Sequence, residues 1–156
     1  MADVYSGRIL REHNDAECLV QDLYTFRDRL QDIFQILGWQ TKILANEDLK
    51  IVKNGMKTHF GHLTVSEDKA TWYHNGNLGQ IQFPAYWLGS DPVSFLGYRF
   101  YSVKPEFQYV LKLHPEHMNP EWHWREKDKA DIKVLRTLVG NADLNLLESQ
   151  MISFTC

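Results

Sequence analysis

The stretch that most constrains this chain is "DLYTFRDRLQDIFQILG", residues 22–38. Leu23, Phe26, Leu30, Ile33, Phe34 and Leu37 recur at the three- and four-residue steps of an amphipathic helix, and Gly38 is a natural stop. Short segments on either side, "AECLV" (16–20) and "WQTKIL" (39–44), read as strands. A strand–helix–strand opening cannot bury its apolar faces alone. It predicts an α/β layer architecture.

The rest of the chain changes character twice. Through the middle, "HFGHLTV" (59–65), "ATWYH" (70–74), "QIQF" (80–83) and "YRFYSV" (98–103) alternate as strands do, with "NGNLG" (75–79) as a turn cluster. Beyond it, "KPEFQYVLKLH" (104–114), "REKDKADIKVLRTLVG" (125–140) and "ADLNLLESQMI" (142–152) carry helical periodicity. Pro105 suits a first helical turn, and Gly140 suits a helix end. The 156 residues therefore predict one domain, with a mixed-sheet part over 1–103 and a helical part over 104–156.

Bulk properties exclude some roles. The formal net charge of −3 offers no basic field to draw nucleic acid or an anionic membrane. No apolar run approaches the length of a membrane helix, and "MADVYSGR" has no signal-peptide core. Cys18 and Cys156 are too few for a disulfide framework, so a cytoplasmic setting is expected.

"REHNDAECLV" (11–20) holds the pattern with chemistry in it. Residues two apart on a strand share a face, so Asp15 and Glu17 project together. Their hard carboxylate oxygens suit Mg²⁺, an ion that stabilises charge as a phosphoryl or nucleotidyl group moves. The bland reading is a solvated strand edge.

"SGRILREHNDAECLV" resembles the nucleotidyltransferase superfamily, most closely the small antibiotic-resistance type. That type includes the lincosamide nucleotidyltransferases and the aminoglycoside 2″-adenylyltransferases. Gly7-Arg8, Arg11, His13, Asp15 and Glu17 fall on its glycine-basic lead-in, R-x-H-x-D run and Asp-x-Glu metal pair. Pro105, Glu106 and Lys112, then Lys127, Asp128, Ala130 and Asp131, fall on its distal helices. The resemblance implies a short mixed sheet with helices packed on it and a helical C-terminal part, and Mg²⁺ held by Asp15 and Glu17, with a nucleoside triphosphate as donor and a small hydroxylated molecule as acceptor. It points to Arg11, Lys112 and Lys127 as nucleotide-binding cations. The alternative is a degenerate member that binds a ligand or partner without turnover, or one whose front end is completed in a homodimer.

Two departures accompany the resemblance. The family's Gly-Gly or Gly-Ser phosphate turn would align before Met1, so an N-terminally truncated chain is expected. The slots aligned with a third carboxylate are Thr64 and Ser66, which leaves His62, on the Thr64 face, as the candidate base. Three further features have bland readings. "HPEHMNPEWHW" brings His114, His117 and His123 close in sequence, but the spacing matches no closed zinc site. Asp128 and Asp131 are expected to cap and pair within their helix. Tyr86 and Trp87 are the aromatic pair expected at a contact surface.

Overall fold

The computed structural model describes residues 13, 15–45, 47–74, 79–115, 121–140 and 144–155, with the backbone alone at 152–155. It is a mixed α/β structure. Its described residues group into two compact units, 13–82 with 153–155, and 83–152. The change of character read from the sequence lies between 103 and 104, whereas the units divide between Gln82 and Phe83. The reason is local packing. Phe83 lies 4.5 Å from Phe107, ring to ring, and the Lys104 amide donates to the Trp87 carbonyl at 2.6 Å.

The first unit carries most of a seven-stranded sheet with strand order β2-β3-β4-β5-β6-β9 and β1 paired to β4. The strands are β1 (Asp15–Gln21), β2 (Gln40–Ile43), β3 (Leu49–Lys53), β4 (Met56–Ser66), β5 (Lys69–Tyr73), β6 (Gly79–Pro84) and β9 (Ile152–Thr155). β1 runs parallel to β4, and its residues 15–21 lie beside 57–63. β3 pairs with the first part of β4 and β5 with the last, both antiparallel. His62 and Leu63 pair with β1 and with β5, so those strands take opposite edges of β4. The same reasoning sets β1 across from β3. β3 and β5 therefore occupy successive stretches of one β4 edge.

Helix α1 (Leu23–Ile36) follows β1 directly. The turn into it is pinned by the Asp22 amide, which donates to the Leu63 carbonyl on β4 at 3.1 Å. Its end is a Schellman motif: the Trp39 amide donates to the Phe34 carbonyl, the Gly38 amide to that of Gln35, and Gly38 takes the left-handed φ of 76° the motif needs. Phe34 meets Phe60 at 5.5 Å, and Gln31 and Gln35 both donate to the Thr41 hydroxyl. The apolar stripe is only partly used. Leu23 is fully buried, whereas Phe26, Ile33 and Leu37 stay exposed.

In the second unit a one-turn 3-10 helix (Ala85–Leu88) and a hairpin of β7 (Val93–Phe95) and β8 (Tyr98–Phe100) precede three helices. These are α2 (Pro105–Leu113), α3 (Glu126–Val139) and α4 (Leu144–Ser149). Phe107, Val110, Leu135, Val139 and Leu147 are buried where the helices meet. None of the described helices is long and apolar enough to cross a membrane.

Candidate active site

Asp15 and Glu17 both lie in β1 and both are exposed. Pairing puts Asp15 beside Lys57 and Glu17 beside His59 on β4. Paired residues and residues two apart share a face, so all four side chains stand on one side of the sheet. Among the described residues no group of three or more His, Cys, Asp or Glu side chains could hold a metal.

The acid beside this pair is one the sequence reading passed over. Asp48, at the mouth of β3, is fully buried. One of its oxygens accepts from the His62 amide at 3.2 Å, and the other lies 3.1 Å from His59 Nε2. The hydrogen bond to Asp48 outweighs burial and holds the His59 imidazole above its ordinary value of 6.5. Behind it the sheet face is closed by Trp72, whose indole lies across Gly61. A Cβ there would stand 2.7 Å from the indole nitrogen, so glycine is what admits the ring.

His62, the candidate base, occupies the other side. It pairs with Val20, out of phase with Asp15 and Glu17, and stacks on Tyr24 of α1 at 3.9 Å. It is buried, and burial pushes its pKa below 6.5. Thr64 shares that side by alternation, and Ser66 is the last residue of β4. Parallel pairing makes His59 the partner of Glu17. The slots aligned from sequence thus sit too far along the strand. The missed signal was Asn54-Gly55, a two-residue hairpin turn with both residues at positive φ, 52° and 81°. Reading it would have revealed β3 and placed Asp48 at its entrance.

The sheet arrangement recurs in solved structures. A crystal structure of ANT(2″)-Ia in complex with adenylyl-2″-tobramycin matches with a TM-score of 0.70 at 14% identity, over 95% of this chain and 80% of that one. A solution structure of the same antibiotic-resistance factor matches at 0.65 and 14%, over 95% and 75%. The lincosamide antibiotic adenylyltransferase LnuA, lincomycin-bound, matches at 0.62 and 15%, over 88% and 81%. This chain has the fold of these nucleotidyltransferases. No family model matches the chain, and no curated protein matches it in sequence.

Within the nucleotidyltransferase fold, the distal positions are engaged in structure. Lys112 Nζ lies 2.9 Å from Asp131 Oδ2, joining α2 to α3, and Asp131 is buried. Asp131 thus pairs between helices, where pairing within one was expected. Asp128 behaves as anticipated. It accepts from the Arg125 amide at 3.2 Å, closing a capping box, and takes the Arg125 guanidinium at 2.7 and 2.8 Å. Those bonds hold its carboxyl below the usual value of 3.8 despite burial. Lys127 is exposed on the first turn of α3, and Arg11 lies outside the described residues. Trp87 is fully buried, a core residue and no contact surface, whereas Tyr86 is 56% exposed. His114 reaches Glu148 at 3.5 Å, His123 is exposed, and His117 lies outside the described residues.

Proposed function

We propose that the chain is a Mg²⁺-dependent nucleotidyltransferase that moves a nucleotidyl group from a nucleoside triphosphate to a hydroxyl of a small acceptor. The observation that carries this reading is the exposed Asp15–Glu17 pair on one face of β1 in a nucleotidyltransferase fold. Hard carboxylate oxygens on one exposed face suit Mg²⁺. When bound, Mg²⁺ would supply charge neutralisation at the phosphates. Asp15 and Glu17 would hold it, and His59 would present a positive edge to the phosphate chain next to Glu17. Buried Asp48 orients His59. Lys127 and Arg11 remain the cations suggested for the nucleotide from the helical and N-terminal segments. The small-acceptor reading draws on neighbours whose structures hold lincomycin and adenylyl-2″-tobramycin.

A second reading, nucleotide binding without turnover, is favoured by one observation. The residue paired with Glu17 on β4 is a histidine, and its Asp48 partner is fully buried. Pyrophosphate release with Mg²⁺, each nucleoside triphosphate and a panel of aminoglycosides and lincosamides separates the two. Acceptor-dependent release that Asp15→Asn abolishes supports transfer. Nucleotide binding with no release for any acceptor supports the second reading.

A further inference from the structure

The strand pairings line up a row of side chains across one face of the sheet. Glu17 of β1 is opposite His59 of β4, His59 is opposite Lys50 of β3, and Lys50 is opposite Lys42 of β2. Directly paired residues share a face, so the row reads carboxylate, imidazole, ammonium, ammonium over four strands. Neighbouring strands lie about 4.8 Å apart, which makes the stretch from His59 to Lys42 about 10 Å long. Asp15 and Lys57 stand one step along the strands on the same face.

This row is costly as pure structure. Like charges directly opposite each other on paired strands destabilise a sheet. Three other lysines have partners: Lys53 donates to the Leu37 carbonyl at 2.7 Å, Lys112 meets Asp131, and Lys129 meets Glu126. Among the described residues neither Lys42 nor Lys50 has an acidic side chain at ion-pair distance. Lys42 is exposed and Lys50 half-buried, so both ammonium groups reach solvent along the sheet. A line of uncompensated cations that begins at a carboxylate pair is complementary to a chain of phosphates whose near end carries a divalent cation.

We propose that Lys50 and Lys42 form a polyphosphate subsite, which seats the β- and γ-phosphates of the bound nucleoside triphosphate and retains pyrophosphate after transfer. The proposal rests on the nucleotidyl-transfer reading and extends it to the leaving group. It makes the sheet face a recognition element for the phosphate tail.

Calorimetric titration of the full chain tests it, with Mg²⁺-pyrophosphate, Mg²⁺-nucleoside triphosphate, the matching monophosphate and a short single-stranded oligonucleotide as probes. The Lys42→Met/Lys50→Met variant is expected to weaken pyrophosphate and triphosphate each by at least about tenfold, the worth of about 1.4 kcal/mol. Monophosphate affinity should be unchanged, and thermal stability equal or higher as repulsion is relieved. Undiminished pyrophosphate binding by this variant overturns the subsite. If the wild type still binds triphosphate through Asp15 and Glu17, the transfer reading survives that result. A wild type that binds neither triphosphate nor pyrophosphate overturns both. Tighter binding of the oligonucleotide than of pyrophosphate assigns the lysines to a nucleic acid and overturns the subsite as well.

Discussion

The two units treat charge in opposite ways. In the helical unit, Asp131 and Asp128 are buried, and each is matched by a cation, Lys112 or Arg125, at 2.7–2.9 Å. In the sheet unit, Asp15 and Glu17 are exposed, and Lys50 faces Lys42 across the strands. The buried acids of the helical unit meet Lys or Arg, and the buried Asp48 of the sheet unit meets His59, whereas the two acids of β1 and Lys42 are held out to solvent. The same residue types thus fasten helices in one place and, in the function proposed above, recognise a ligand in the other. Lys112, a phosphate candidate by resemblance, reads as a fastener.

The largest expected effect comes from breaking the fastener. Lys112→Met removes a cation from the buried Asp131 carboxylate and unfastens α2 from α3, and should cost on the order of 3 kcal/mol of stability, read by chemical denaturation. A loss under 1 kcal/mol would mean that Asp131 is solvated and the contrast between the units is weaker than drawn. Next is a packing test in the sheet unit. Gly61→Ala drives a Cβ to 2.7 Å from the indole of Trp72, which is itself buried. Overpacking of this kind costs typically ~1–3 kcal/mol. A thermal melt indistinguishable from wild type would show that the ring shifts freely.

Smaller, and of opposite sign in the two units, are the pH effects. Asp128 is held below 3.8, chiefly by its bonds to Arg125. Its stabilisation is present above that value and is lost as pH falls through the folded value. Arg125→Leu should flatten this acid limb. His59 is held above 6.5 by Asp48, so its stabilisation is complete below 6.5 and is lost as pH rises through its folded value. Histidine NMR should find His59 titrating above 6.5 and His62, depressed by burial, below it. A shared midpoint would remove the distinction between the two faces of the sheet.

Local pattern carried much of the fold. The periodicity of 22–38 and its glycine stop identify α1 to within a residue or two, and α2 and α3 lie where their apolar spacing puts them, whereas α4 stops at Ser149 and Ile152, expected at the end of that helix, opens β9. β3 was hidden because "LKIVK" is short and interrupts its apolar residues with lysines, although the Asn54-Gly55 turn marks its end. The site was legible only where it is local. That Asp15 and Glu17 share a face follows from strand alternation alone. Which β4 residue lies beside them depends on the long-range register of β1 against β4, and that register selects His59 over His62. Asp48 and the Lys42–Lys50 pair are likewise products of pairing between strands distant in pattern, and Asp131 meets Lys112 only once two helices dock.

The smallest expected change in stability belongs to the residues on which function depends most. Asp15→Asn with Glu17→Gln, both exposed, should alter unfolding free energy by no more than about 0.5 kcal/mol. Differential scanning fluorimetry with a nucleoside triphosphate, with and without Mg²⁺, reads the ligand response of the same variant. Mass action predicts a Mg²⁺-dependent rise in the wild-type melting temperature that the double variant lacks, at an unchanged apo value. An equal rise in both proteins would contradict the account, because the paired acids of β1 would then have no part in holding the nucleotide.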